Sequence, residues 1–367
     1  MKKKFTALVF LTGFSIMAYG QTIKIASSLE NWDTTGANAI NETYLGKESI
    51  FLKSGGITAK LAEMLDGIIE FDMSVPQQRG FPGIAFRLQD PKNFENFYVR
   101  PHQSGNPDAN QYTPVFNGYA GWQLYYGEGY SKPFSYKFNQ WHHIKIDVLG
   151  DKAAIYIDDM EKPLIKVTEL KQEWKAGKFA LISGGLPVHF ANFQYTPRQG
   201  RPPAPPVVPA NGTGGLVTQW QVSNVVNKDI FEKKYQLTPE IKTKLNWTLR
   251  TTEPSGTINL AKFIQPNDTS RTIVVKLVIH SKSGQVKELS FGFSDYVTVY
   301  LNDKAIYQGI DNFLSRDYRF LGTIGFFDKI FLPLKKGTNE LWFVVSEDFG
   351  GWGVKAKFNN MEDISLK

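Results

Sequence analysis

The chain has 367 residues, no cysteine, and 42 lysines and arginines against 35 aspartates and glutamates, a formal net charge of +7. So small and dispersed a surplus excludes a nucleic-acid footprint, and the lack of cysteine excludes a disulfide framework, a thiol nucleophile and a lipoprotein anchor. Beyond the N-terminus no stretch stays apolar for the roughly eighteen residues that a membrane helix needs, so no membrane insertion is expected.

The chain opens MKKKFTALVFLTGFSIMAYGQ. Three lysines, an apolar run from Phe5 to about Met17 and the small residues Ala18 and Gly20 follow the order of a secretory signal peptide over residues 1–20. Cleavage is expected near Gly20-Gln21, with the product in the periplasm or secreted from a Gram-negative cell. A buried N-terminal helix is the bland alternative. The remainder is long for one core and comfortable for two.

Residues 22–198 read as strands. GIIEFDMSV (67–75), GIAFRLQD (83–90), WHHIKIDVLG (141–150), AAIYID (153–158), KFALIS (178–183) and VHFANFQY (188–195) alternate or run apolar over strand lengths. Only TAKLAEML (58–65) and VTELKQEW (167–174) suit short helices. Next comes QGRPPAPPVVPANGTGG (199–215), with five prolines between 202 and 209. Such a run favours an extended spacer, so residues 199–213 are expected to be a linker; a proline-rich peptide ligand is the other use of such a run. Residues 214–367 give TIVVKLVIHS, YVTVYLN, AIYQG, KIFLPL and ELWFVVS, with Asn302-Asp303 as a two-residue hairpin turn. The expected architecture is all-β: two β-sandwich, jelly-roll domains joined by a Pro-rich linker.

The stretch NQWHHIKIDVLGDKAAIYIDD (139–159) resembles the concanavalin A-like lectin/glucanase superfamily, particularly its laminin-G-like members. The resemblance covers nearly all of 22–198 and implies two packed antiparallel sheets with a concave face that often handles carbohydrate. Members that cleave β-glucans carry Glu-x-Asp-x-Glu on one strand. The match here is Glu70-Phe71-Asp72-Met73-Ser74, with serine where the acid/base would stand. Retaining hydrolysis needs two carboxyl groups in distinct roles, so no catalytic residue is assigned. PGIAFRLQD and WHHIKI also resemble parts of the 3-keto-disaccharide hydrolases, although the Asn-Ser-Gly-Ile and Gly-Tyr-Glu stretches of that group are absent. In the second half VTVYLNDKAIYQG (297–309), LPLKKGTNEL (332–341) and GGWGVKAKF (350–358) resemble galactose-binding-like β-sandwiches.

Strand alternation sets Tyr98 and Arg100 opposite to Phe97 and Val99, and Glu70 and Asp72 opposite to Ile69, Phe71 and Met73. With Arg87, the rim residue His102, and Gln123 and Tyr125 of the aromatic run WQLYY, these are expected to line one polar, aromatic groove for an oligo- or polysaccharide. An Arg–carboxylate network that only closes the sheet is the alternative. Adjacent His142 and His143 point to opposite faces and have no third ligand at a recognisable spacing, so no metal is expected. The loops NWDTTGAN (31–38) and SGNPDAN (104–110) suit structural calcium, but their residues are also ordinary turn formers. Trp352 either stacks on sugar or plugs the end of the second sandwich, and Arg316, Asp317, Tyr318 and Arg319 form a candidate loop site. The expected function is that of an exported carbohydrate-binding protein. The alternatives are a glycoside-acting hydrolase, 3-keto-disaccharide hydrolase-like or divergent glucanase-like, and a surface scaffold or adhesion protein.

Overall fold

Alternation in GIIEFDMS produces the strand Gly67–Ser74, whose Ile69, Phe71 and Met73 sit in a hydrophobic core. The computed structural model containing it describes residues 20–265, 269–317 and 319–367; residues 1–19 of the expected signal peptide, and Tyr318, lie outside them. Gly67–Ser74 is central in a sheet ordered Ile165–Val167, Lys152–Ile157, His142–Leu149, Gly67–Ser74, Val188–Pro197, Lys47–Ser54, Asn38–Tyr44. A second sheet faces it, ordered Tyr119–Ala120, Asn110–Phe116, Asn93–Val99, Gly83–Asp90, Gly177–Ile182, Gly56–Met64, Trp32–Asp33. Between them Phe71, Phe86, Phe97, Phe179 and Phe190 interdigitate. Each contributes about 1.5–3 kcal/mol by leaving water.

The second half repeats the scheme. One sheet is ordered Trp247–Thr251, Gln219–Ser223, Thr272–Ser281, Gly337–Ser346, Tyr296–Leu301, Lys304–Ile310; the other Ile258–Asn259, Gly353–Phe358, Gln285–Ser294, Asp328–Leu334. Trp220, Phe291, Phe293, Phe343 and Trp352 fill the space between. The hairpin forms as expected: Asn302 and Asp303 take φ of 48° and 73° between the paired Leu301 and Lys304. Residues 199–210, with the proline run, carry neither strand nor helix.

Both expected short helices are absent. All of TAKLAEML but Leu65 lies in the strand Gly56–Met64, with Ile57, Ala59, Ala62 and Met64 buried and Leu61 92 % exposed. Pairing to Gly177–Ile182 on one side and Trp32–Asp33 on the other outweighs the helix preference of Ala, Leu, Lys and Glu. In VTELKQEW only Val167 is in a strand and no helix follows. The backbone N–H groups of Lys171 and Gln172 donate instead to Tyr112 Oη (3.0 Å) and Glu95 Oε1 (2.9 Å).

Candidate functional site

The strand Asn93–Val99 turns Phe97 and Val99 into the core and leaves Asn96 and Tyr98 on the outer face of its sheet. Pro101 then starts a single 3-10 turn, Pro101–Gln103, with Arg100 as its N-cap residue. Arg100 is 6 % exposed; its Nη1 donates to the Asp108 carbonyl at 2.9 Å, and its Nη2 to Tyr98 Oη at 2.7 Å and Gln111 Oε1 at 2.6 Å. Burial pushes the Tyr98 phenol up to about 12, so it stays protonated. His102 stands edge-on to Phe81, centroids 5.5 Å apart. Burial, then the charges of Arg79 and Arg100, lower its pKa and favour the neutral imidazole.

The opposite wall comes from loops of the second sandwich. The segment Gly121–Tyr126 reaches across to them: Gln123 N donates to the Gly350 carbonyl at 2.8 Å, and Trp122 packs on Phe313 and Phe349 at 6.0 and 5.7 Å. Gly350 and Gly351, with φ of 113° and 145°, permit this approach, because a Cβ on Gly350 would collide with Gln123 and Trp122. Glu347, one residue past the strand Gly337–Ser346, is 2 % exposed. Its Oε1 accepts from Gly351 N at 3.0 Å. Burial, then the neighbouring Asp295 carboxylate, push Glu347 up to about 8, so at neutral pH it is largely an uncharged carboxylic acid.

Between the two walls lies a cleft of about 1060 Å³. Phe81, Tyr98, Trp122, Tyr126, Phe313 and Phe349 supply its ring surfaces. Asn96 Oδ1, His102 Nδ1 and Glu347 Oε2, on residues that line the cleft, are buried atoms with no hydrogen-bond partner within the protein; Gln103, Asn106 and Asp108 add further polar side chains to the lining. Such an arrangement can stack flat apolar faces and pair hydroxyl groups around them.

The eight expected site residues do not share one groove. Tyr98, Arg100 and His102 line the cleft. Gln123 and Tyr125 lie beside it as ties to the second sandwich. Gln123 Nε2 donates to the Leu321 carbonyl at 3.2 Å, Gln123 Oε1 accepts from Ser294 Oγ at 2.9 Å, and Tyr125 Oη donates to Glu253 Oε1 at 2.6 Å. Arg87 is 1 % exposed, with φ 48° at an irregularity in its strand; its Nη2 donates to Asp66 Oδ1 at 2.9 Å and to the Gly150 carbonyl at 2.7 Å. That backbone turn takes the guanidinium out of the alternation.

Glu70 and Asp72 are on the other sheet. Asp72 accepts from Lys47 Nζ at 2.7 Å and Asn192 Nδ2 at 2.6 Å and pairs with His143 Nδ1 at 2.7 Å; Glu70 pairs with His143 Nε2 at 3.4 Å and accepts from Gln194 Nε2 at 3.0 Å. Burial works to raise Asp72, but these hydrogen bonds outweigh it and hold the carboxyl below its usual range. The hydrogen bond to Asp72 raises His143. This network closes the sheet with a lysine, a histidine and two amides, not with the arginine that the alternative reading expected. Alternation placed Glu70, Asp72 and Tyr98 on the right faces of their own sheets; it carried no information on which of two sheets that was.

Buried His142 pairs with Asp158 Oδ2 at 2.7 Å, as a tethered core-edge residue would. Asp33, in the first calcium candidate loop, accepts from Thr35 N at 3.0 Å and Thr35 Oγ1 at 2.7 Å, the bonding of a turn. Among the described residues no three His, Cys, Asp or Glu side chains are arranged to hold a metal ion. Trp352 is buried in the second core, donating to the Val345 carbonyl at 3.2 Å, and so is closed to ligand stacking. Arg316 is committed to Asp311 and Asp328 at 2.9 and 2.6 Å; Arg319 reaches the cleft. Sequence reasoning missed Arg79, Arg271, Phe313, Glu347 and Phe349. The one signal for Glu347 was its position in SEDFGG, an acidic pair between an apolar strand and two glycines.

No family model matches the chain, and no curated protein does. Among solved structures it is similar to carbohydrate-binding module CBM66 from Bacillus subtilis, at 20 % identity over 45 % of this chain and 94 % of that one, TM-score 0.35. A protein of unknown function with a galectin-like fold from Bacillus subtilis matches at 11 % identity over 51 % and 100 %, TM-score 0.36. A Bacillus licheniformis β-glucanase matches at 13 % over 51 % and 95 %, TM-score 0.32. At these identities and scores the similarities carry no argument about activity, and the β-sandwich architecture is read from the strand pairing itself.

Proposed function

We propose that this is an exported saccharide-binding protein whose ligand lies in the cleft between the two sandwiches, not on the face that carries Glu70 and Asp72. The observation that carries this reading is the convergence of ring surfaces with polar side chains, among them Tyr98, His102, Gln103 and Asn106, in one cleft of about 1060 Å³. Sugar rings present apolar C–H faces to aromatic side chains and hydroxyl edges to polar groups. The Arg100–Tyr98 pair is preorganised, so little ordering is lost on contact. An oligosaccharide suits the size, because small-molecule sites usually span about 300–1,000 Å³.

A hydrolytic reading has one observation in its favour. Glu347, held protonated near neutral pH, has the character of a general acid, and Asp108 and Asp348 also line the cleft. The test is a glycan array, followed by calorimetry and an assay for reducing or keto-sugar release. Saturable binding that Phe349→Ala weakens at unchanged melting temperature supports the cleft; Phe349 is 63 % exposed and its loss leaves the core intact. Product release that Glu347→Gln abolishes supports the hydrolase. Silence in both leaves a scaffold protein and overturns the proposal.

A further inference from the structure

Four arginines line the cleft, Arg79, Arg100, Arg271 and Arg319, against Asp108, Asp348 and Glu347. Arg319 is closed onto Asp317 by bonds of 2.9 and 3.0 Å. Among the described residues the other three make no ion pair with a carboxylate. Arg100 donates to a backbone carbonyl, a phenol and an amide; Arg271 Nη1 donates to the Asp348 carbonyl at 3.0 Å; Arg79 lies 5.8 Å over the Phe81 ring. Glu347 adds little negative charge at neutral pH, for the reason given above. The wall therefore carries more fixed positive than negative charge.

A guanidinium can donate to the hydroxyl groups of a neutral saccharide, but it gains more from an anion, because bonds to a charged acceptor are shorter and stronger. A planar guanidinium matches a carboxylate or sulfate, to which it can donate two parallel bonds. Arg100 is the informative member. It is nearly buried and rigidly held by a carbonyl, a phenol and an amide, and makes no ion pair with a carboxylate among the described residues. A cleft walled by low-dielectric rings also focuses the field of such groups on a ligand.

We infer that the cleft selects an acidic saccharide, whose carboxylate or sulfate groups are read by Arg79, Arg100 and Arg271 while its rings stack on the aromatic wall. This rests on the saccharide reading above and narrows it to an anionic ligand class.

The test is calorimetry of the purified protein with tetragalacturonate, a chondroitin sulfate tetrasaccharide, maltotetraose and inorganic sulfate. Expected is binding of one acidic tetrasaccharide roughly tenfold or more tighter than maltotetraose, weakening as salt is raised. Whether the carboxylated or the sulfated probe binds better identifies the anion. The exposed pair change Arg79→Gln with Arg271→Gln is expected to cost roughly tenfold or more in that affinity at unchanged melting temperature. Equal or tighter binding of maltotetraose, indifferent to salt and to the pair change, overturns the inference and leaves the saccharide site standing. Inorganic sulfate binding as well as the tetrasaccharides overturns it as a mere anion trap. Binding of none of the four overturns both readings.

Discussion

Arg100 and Tyr98 are joined twice: Nη2 donates to the phenol oxygen at 2.7 Å, and the guanidinium lies 4.8 Å over the same ring. One strand residue and the N-cap of the turn that follows it thus form a rigid plate on the cleft wall. Arg100→Lys keeps the charge and loses the fork. Binding should weaken by about tenfold, with Arg100→Ala also leaving Tyr98 and Gln111 underpaired at about 1–3 kcal/mol of stability. Calorimetry and urea unfolding of the two variants check this. Unchanged affinity in Arg100→Lys would remove the fork from the recognition scheme.

Glu347 makes stability depend on pH in an unusual direction. Its folded pKa, about 8, lies above the ordinary glutamate value of 4.5, so the folded state binds more protons between those values. Stability from this group is complete below the ordinary value and is lost as pH rises through about 8. Burial likewise raises Asp311 to about 7 and raises Asp295, so all three act with the same sign. The melting temperature should fall from mildly acidic pH toward pH 8 and more shallowly in Glu347→Gln. Parallel curves for the two proteins would contradict the protonated state.

The Asp72 network should behave as structure alone. Asp72→Ala strips Lys47, His143 and Asn192 of a shared acceptor and should cost about 1–3 kcal/mol in urea unfolding. Affinity for any cleft ligand should not change, because Asp72 lies on the other sheet. A selective loss of binding would return the site to that face.

Gly350→Ala puts a methyl group where Gln123 and Trp122 approach, at a φ of 113°. The two walls must separate, and both stability and ligand affinity should fall. Lys336→Ala, at an exposed bend of the second sandwich, is the control and should alter neither. A normal melt and normal binding in Gly350→Ala would show that the contact is not needed.

The strands were legible because a half-buried strand writes its period into the sequence. GIAFRLQD forms Gly83–Asp90, and TIVVKLVIHS forms Thr272–Ser281. Parity was legible too, for Tyr98 and Asp72 alike. What alternation cannot encode is the partner sheet, which is why Asp72 and Tyr98 were assigned to one trough. It also cannot encode a local reversal such as the positive φ of Arg87. Glu347 was the least legible. A glutamate beside a turn reads as solvated, and only the packing of distant loops makes it a buried acid.

The reach of Gly121–Tyr126 across to Gly350 has a practical consequence. Trp122 and Tyr125 belong by chain position to one half and also make ring and hydrogen-bond contacts with the other. A truncation in the proline run therefore does not yield two self-sufficient modules: the upstream fragment is left with bare aromatic rings, and the downstream fragment with a glycine pair touching nothing. On the proposed reading, ligand capture needs the undivided molecule, and libraries of isolated halves would miss it.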